Sequence, residues 1–393
     1  MNPSTSGWID KFLREFDLDA LPVSSLDELY PKLREAGFIY GTSISLAISL
    51  DSEITYSEEE KTKINLFSAL VVTYYETIDN GSSKDCINAL VEFYEYLDTK
   101  KSFFSFINSL TSNKSEKLEK IINTRIQTNE SIFKKNFSHL LTNALLFIDV
   151  LAFEHFLIHD INPIEYAASL EETLTNIVFL ALNSKIEKDD YYELLVKLFA
   201  SSVRYTKIST EEDASFDQVD LDTYTDDLEK RYILDLTSLA VWNDKEIDLG
   251  EQDFMRALGA ELALSNRWVQ ESLDSVLRFV NDHKDEISFF NYSNPALHFY
   301  KQTSRTVSIL ILRNKKRLIK EISESKDLMI LLGQSAVRDL SKEEKQQMKQ
   351  QLLDVCKTIP SLAIFILPGG SLLLPLLVKF IPQLLPSAFN ENK

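Results

Sequence analysis

The chain has 393 residues, 42 Lys and Arg against 60 Asp and Glu, and a formal net charge of −18. Nine glycines are too few for a turn-rich β architecture, and the length allows two or three separately cored domains. The negative balance excludes nonspecific nucleic-acid binding by the bulk of the chain, because phosphate neutralisation needs clustered cations, and no DNA partner is expected.

The charge is unevenly spread. Residues 303–358 carry twelve basic and seven acidic side chains, a net +5, and residues 359–393 add +1, which leaves −24 on residues 1–302. Cys86 and Cys356 are too few and too distant to suggest a disulfide framework, which fits a reducing compartment. The opening MNPSTSGWIDKFLREFDLD has neither the cationic start nor the apolar stretch of a secretory signal. The body is therefore expected in the cytoplasm.

In chain order, Ser6 to Phe16 reads as a capped amphipathic helix with Trp8, Phe12 and Phe16 on one face. Pro22 and Pro31 punctuate the next stretch, where Ser25 and Glu28 form a capping-box pattern before Leu29. Apolar residues at i, i+3, i+4 spacing predict helices over Glu58–Thr77, Asp85–Tyr96, Ser131–His159 and Glu165–Leu182. Nothing between Ile54 and Ser209 alternates with period two for long enough to make a strand. The expected fold class is all-α, a multi-helix acidic body followed by a proline-broken apolar C-terminal tail.

Between Glu211 and Glu229 there are nine acidic residues and no basic ones, the pattern of a linker or mobile loop. A second boundary falls near the NYSNP stretch at residues 291–295. Beyond it, Ser304 to Ser325 reads as a basic helix bearing RNKKRLIK, whose Arg313, Lys315, Lys316, Arg317 and Lys320 are candidate contacts for anionic lipid headgroups or ribosomal RNA. A solvated surface is the plain alternative.

His155 and His159 stand at i, i+4, a spacing that can present two metal ligands, but the surrounding apolar residues and the lack of a protease-type Glu favour an ordinary helix end. No Gly-rich phosphate loop, nucleophile elbow or Cys pair at metal spacing occurs. No enzyme activity and no cofactor are expected. The turn Asp244, Glu246, Asp248, Glu251 is a candidate site for a divalent cation, since hard cations choose oxygen clusters. It is not an EF-hand, because the sixth position is Leu249 and the twelfth Met255. The plain alternative is a helix start, where carboxylates complement the dipole.

The segment FLALNSKIEKDDYYELLVKLF (179–199) is similar in shape to SLAVWNDKEIDLGEQDFMRAL (238–258) and to residues 70–93: an apolar helix end, a short turn, another helix. Any helical hairpin shares that shape, and duplication of one unit is the other explanation. It resembles the TerB-like (tellurite-resistance) helical domain through Asp244, Ile247, Asp248 and Glu251, followed by Phe254 and Leu258. The family's usual Asp-Gly pair reads Asp244-Lys245. The resemblance spans roughly residues 228–290.

Ser341 and Glu344 form a capping box that starts a polar helix to Lys357. From Ile359 to Val378 there are then 20 residues without a charge, about what a helix needs to cross a hydrocarbon core. Five of the ten prolines and two of the nine glycines also lie beyond Ile359. Pro360 must end, kink or restart a helix, and Pro368-Gly369-Gly370 divides the run into two half-spans. A kinked span, a re-entrant hairpin and a hairpin buried inside a helical body all satisfy the backbone.

The register Pro360, Phe365, Pro368, Leu372 to Leu374, Pro375, Lys379, Phe380, Pro382, Leu385, Pro386, Ser387, Phe389 resembles the LETM family of mitochondrial inner-membrane proteins and their bacterial, biofilm-associated relatives. That resemblance implies membrane association and a link to proton-coupled cation exchange, membrane insertion of proteins or ribosome binding. Ser371 stands where the mitochondrial members have an acidic residue, so the natural proton carrier is missing. The domain that follows the motif there, credited with ribosome contact, is expected to be absent after Asn390-Glu391-Asn392-Lys393.

The expected organisation is a helical domain at 1–210, an acidic linker at 211–229, a TerB-like segment at 230–300 and a LETM-like region at 301–393 whose apolar tail covers 359–389. The expected function is a non-enzymatic protein at the cytoplasmic face of the inner membrane, serving cation homeostasis or envelope and biofilm organisation. Its partners would be membrane lipid and, in addition, the ribosome or another protein. The alternative is a soluble all-α scaffold or ribosome-binding protein with the tail buried internally.

Overall fold

The computed structural model of the chain describes residues 1–15, 23–50, 55–97, 113–126, 143–186, 219–242, 247–283, 314–335 and 340–359, with shorter pieces at 216, 287, 307–308, 310–312, 338, 362 and 377. Among the described residues there are helices and no strand, so the fold is all-α. The helices are α1 Trp8–Glu15, α2 Leu26–Glu35, α3 Glu58–Thr77, α4 Ser83–Leu97, α5 Lys114–Arg125, α6 Phe147–Ile158, α7 Pro163–Ser184, α8 Asp227–Val241, α9 Leu249–Glu261, α10 Asn266–His283, α11 Lys315–Glu324, α12 Lys326–Ser335 and α13 Lys342–Thr358. Two compact units result: Met1–Glu130 with His139–Glu171 and Asp226–Leu236, and a second from Ser131–Ser138, Glu172–Thr225 and Thr237–Lys393.

In the first unit α3 is the central helix. Ser57 and Glu60 close a full capping box at its start, and every residue from Thr62 to Tyr74 is buried. A helix covered on all sides needs neighbours all round, and α2, α4, α5 and α6 supply them. Trp8 and Phe12 of α1 meet Phe67 edge-on, with ring centroids 5.4 and 5.1 Å apart. Asn65, fully buried, accepts from the Ala47 amide and donates to Ser43 Oγ and the Ser45 carbonyl. Its amide satisfies the loop that precedes the helix.

The observed boundaries refine the sequence reading. Ser25 accepts the Glu28 amide, but the Glu28 carboxylate turns to Ser24 instead of closing the box, and Pro31 lies inside α2 without ending it. In the described part of the stretch expected as one helix to His159, residues 143–144 are helical, a turn at 145–146 interrupts, and α6 then runs from Phe147 until His159 adopts a left-handed φ of 55°. Asp227 and Glu229, assigned to an acidic linker from composition, belong to the first turn of α8.

Two aspartates lie inside this unit. Asp149 on α6 accepts from Arg125 of α5, Nε at 2.9 Å and a second contact from Nη2, and from the Tyr94 hydroxyl of α4 at 3.1 Å. Asp235 on α8 accepts from the Tyr30 hydroxyl at 2.8 Å and pairs with Arg34 at 3.3 Å, both on α2. Burial, then the adjacent carboxylates, pushes both tyrosine hydroxyls well above their ordinary pKa. They donate as neutral groups.

Burying one ion without its partner is far costlier than burying neither. Arg125→Leu should cost about 3–5 kcal/mol, read in urea unfolding, whereas Arg125→Leu with Asp149→Leu should recover most of that loss. Equal destabilisation by the single and double variants would refute the clamp.

His155 at the end of α6 has Asp160 Oδ1 2.9 Å from Nδ1 and Glu229 Oε1 3.6 Å from Nε2. Tyr166 covers its ring at 4.1 Å and donates to the same Glu229 oxygen at 2.6 Å. Burial alone would lower the imidazole pKa, but the Glu229 and Asp160 carboxylates outweigh it and hold it above the usual value. A folded pKa above the unfolded one means stabilisation that is complete below about 6.5 and fades as pH rises through the folded value. Thermal melts from pH 6 to 8, about the range where histidine titrates, should show stability declining with pH, and His155→Gln should flatten that slope.

Candidate functional site

Three helices of the second unit lead to the root of the apolar tail: α11, α12 and α13. They pack on one another through Leu318 and Ile322, Leu328, Leu331 and Leu332, and Met348, Leu352, Val355 and Cys356. Each helix turns the apolar side of an otherwise charged sequence inward, which leaves its cations outside.

α13 starts on a closed capping box. Ser341 Oγ accepts the Glu344 amide at 3.2 Å, and Glu344 accepts the Ser341 amide at 2.8 Å. Arg338 then grips both Glu344 oxygens at 2.8 and 2.7 Å. Those bonds, Arg338 first, pull the Glu344 carboxyl down to about 2. At its other end α13 stops at Thr358, and Arg317 donates from α11 to the Thr358 carbonyl at 2.5 Å. A guanidinium there answers the negative end of the helix dipole. Pro360 follows two residues later, so Arg317 holds the chain where the tail begins.

The five cations singled out from sequence therefore divide. Lys315, Lys316 and Lys320 stand exposed on α11, with Lys320 in a loose i, i+4 pair with Glu324 at 3.9 Å. Arg317 is exposed too but has this structural bond, and Arg313 lies outside the described residues. The basic helix expected from Ser304 is also interrupted: residues 310–312 are helical, Asn314 bonds back to Leu310 and Ile311, and α11 starts at Lys315.

Of the tail, Ile359, Leu362 and Leu377 are described, and all three are buried, at 1%, 0% and 0% exposure. The motif positions Pro360, Phe365, Pro368, Gly369, Gly370, Pro375, Lys379, Phe380, Pro382, Pro386, Ser387 and Phe389 lie outside the described residues. Among the described residues no helix is long and apolar enough to cross a membrane.

The acidic turn before α9 has its visible carboxylates engaged. Asp248 caps α9 by accepting the Glu251 amide at 2.9 Å and also accepts the Ile186 amide at 2.8 Å. Glu251, fully buried, accepts the Asp248 amide at 3.0 Å and faces Lys185 at 3.5 Å. These bonds join the end of α7 to the start of α9. Asp244 and Glu246 lie outside the described residues, and no group of metal-type ligands occurs among those described. His155 is held by its two carboxylates and His159 forms the left-handed helix end, so the two rings serve separate purposes. Both cysteines are free and buried, and burial pushes their thiols up, Cys356 to about 12.

Residues 340–393 match the family model described as LETM1-like, RBD. The match starts at Leu340, so it takes in α13 as well as the proline-rich tail. The LETM1 domain-containing protein YLH47, mitochondrial, of Saccharomyces cerevisiae is 28% identical over 110 residues, 28% of this chain and 21% of that protein. The LETM1 domain-containing protein mdm28, mitochondrial, of Schizosaccharomyces pombe is 36% identical over 55 residues, 14% of this chain and 12% of its own length. No solved structure matches the chain. The C-terminal region is thus LETM1-like, and this chain covers only a small part of either relative.

The junction of α7 and α9 leaves no room at Gly250, where an added Cβ would lie 2.3 Å from the Ser184 carbonyl oxygen. Backbone cannot yield as a side chain does, so Gly250→Ala should destabilise by about 1–3 kcal/mol. Gly259→Ala would meet only a methyl of Val269 and should cost less in the same melts. The reverse ranking would refute this packing.

Proposed function

We propose that this chain is a non-enzymatic, membrane-associated LETM1-like protein whose C-terminal region docks the acidic helical body on the cytoplasmic face of a membrane. Its role would lie in cation homeostasis or envelope organisation, with any TerB-like segment near 228–290 remaining in the body. The observation that carries this reading is the LETM1-like match of residues 340–393 over a run of 20 uncharged residues. Support comes from the exposed Lys315, Lys316 and Lys320, on the helix whose Arg317 bonds to the Thr358 carbonyl at the root of the tail. Such cations add about 1 kcal/mol each at an anionic surface. The negative body would be repelled from the same surface, which suits an attachment confined to one end.

A second reading is favoured by the burial of Ile359, Leu362 and Leu377 in the second unit. There the tail packs inside the protein, and α11 and α13, with the exposed Lys315, Lys316 and Lys320, form a docking face for the ribosome or another protein.

Alkaline carbonate extraction separates the two. The full chain should remain in the membrane pellet, and removal of residues 359–393 should release it. A truncated chain that stays in the pellet would sink the anchor reading. A full chain already in the supernatant, co-sedimenting with ribosomes in a salt-sensitive way, would establish the second. Neutralising Lys315, Lys316 and Lys320 together should weaken binding to anionic vesicles on the order of a hundredfold.

A further inference from the structure

Anions have few places to bind on a chain of net −18, yet one cavity of the first unit gathers cations. It has a volume of about 610 Å³, within the range of roughly 300–1,000 Å³ usual for small-molecule sites. Three helix ends meet there: the last turn of α1 and the first turns of α4 and α5. Arg14, Lys84 and Lys114 line it from these three helices, against the single carboxylate of Asp10. Leu13 and Ile87 supply apolar wall.

Among the described residues none of the three cations forms an ion pair, and Arg14 donates its Nε to the Asp10 carbonyl at 3.1 Å. Asp10 is engaged, since its carboxylate accepts the Ser115 hydroxyl at 2.6 Å. Ser83 accepts from Tyr75 at 3.4 Å and keeps its own hydroxyl proton to donate. The excess of positive charge in the lining is two.

The arrangement is held from outside the cavity. α1 and α5 run antiparallel, because Glu119, a turn into α5, accepts the Gly7 and Ile9 amides at the start of α1, each at 3.1 Å. That pairing brings the end of α1 to the beginning of α5. Ser82 caps α4 by accepting the Asp85 amide at 3.2 Å, and the two residues between them, Ser83 and Lys84, line the cavity. The positive ends of α4 and α5 add to the three side chains and outnumber the one negative end, that of the short α1.

We propose that this cavity binds a phosphomonoester dianion, free or carried on a small, partly apolar body. The lining's excess charge matches that of the dianion, the apolar wall suits an attached organic group, and guanidinium and ammonium donors are the usual phosphate partners.

Isothermal titration of the full chain with inorganic phosphate and with adenosine 5′-monophosphate tests this. Vesicles of phosphatidylcholine with and without phosphatidic acid form a third arm, because a lipid headgroup presents the same phosphomonoester. Binding of any of these probes that falls at least about tenfold in Lys84→Gln/Lys114→Gln, with an unchanged melting temperature, is the expected result. Asp10→Asn removes the opposing charge and should tighten binding severalfold, a gain that misfolding cannot imitate. Loss confined to the vesicle arm would identify the source as lipid, and loss in the soluble arms a free metabolite. No binding of any probe, or binding unaltered in the double-lysine variant, overturns the proposal.

Discussion

An ionised carboxylate can stay inside a helical core only where its charge is answered at close range. Asp149 meets that condition through Arg125 and Tyr94, and Asp235 through Arg34 and Tyr30. Each aspartate thereby binds together helices that apolar packing alone could let slide. Asp149 fixes α4, α5 and α6, while Asp235 fixes α2 against α8, with Arg231 of α8 also over the Tyr30 ring at 5.1 Å. The aromatic contacts of Phe147 with Tyr30 and Tyr232 lie between the two clamps. The central helix α3 carries no buried carboxylate of its own; its buried polar residues, Asn65 among them, are neutral apart from Lys63, which pairs with Glu59 one turn away.

The second unit uses bonds at helix ends. Asp248 and Glu251 join the start of α9 to the end of α7, Arg338 reinforces the capping box of α13, and Arg317 answers its final carbonyl. Every one of these uses a charged side chain on an orphan backbone group or on another cap. That economy suits a region whose apolar residues are needed both for its own packing and for the tail. It also explains why residues that look like ligands in sequence are occupied in the fold: a carboxylate at the start of a helix already has amides to accept.

Much of the helical content was legible because it rests on local rules. Ser341 with Glu344 closes the box its spacing announces, Ser25 with Glu28 closes only half of one, and α3 spans the residues its periodicity marks. Burial could not be ranked the same way: α3 is enclosed on all sides, whereas α11 keeps Lys315, Lys316 and Lys320 in solvent. The identity of the C-terminal region was legible for a different reason. Prolines at fixed spacing constrain the backbone so strongly that their register marks a family, and the match of residues 340–393 agrees with it.

Amino-acid order alone determined the all-α class, the cap that starts α13, the acidic body and the LETM1-like register of the tail, since each depends on composition or on neighbours within a few positions. Tertiary structure alone decided which charges are buried, which cations remain open and which bond to the backbone. Arg125 and Asp149 are 24 residues apart, Arg34 and Asp235 are 201, and Arg317 and the Thr358 carbonyl are 41. No local pattern pairs such residues, because their attraction operates only after packing has brought them within a few ångströms and removed the water between them. The tail illustrates both sides: its 20 uncharged residues were plain from the sequence, while the arginine that holds its root became visible only in the fold.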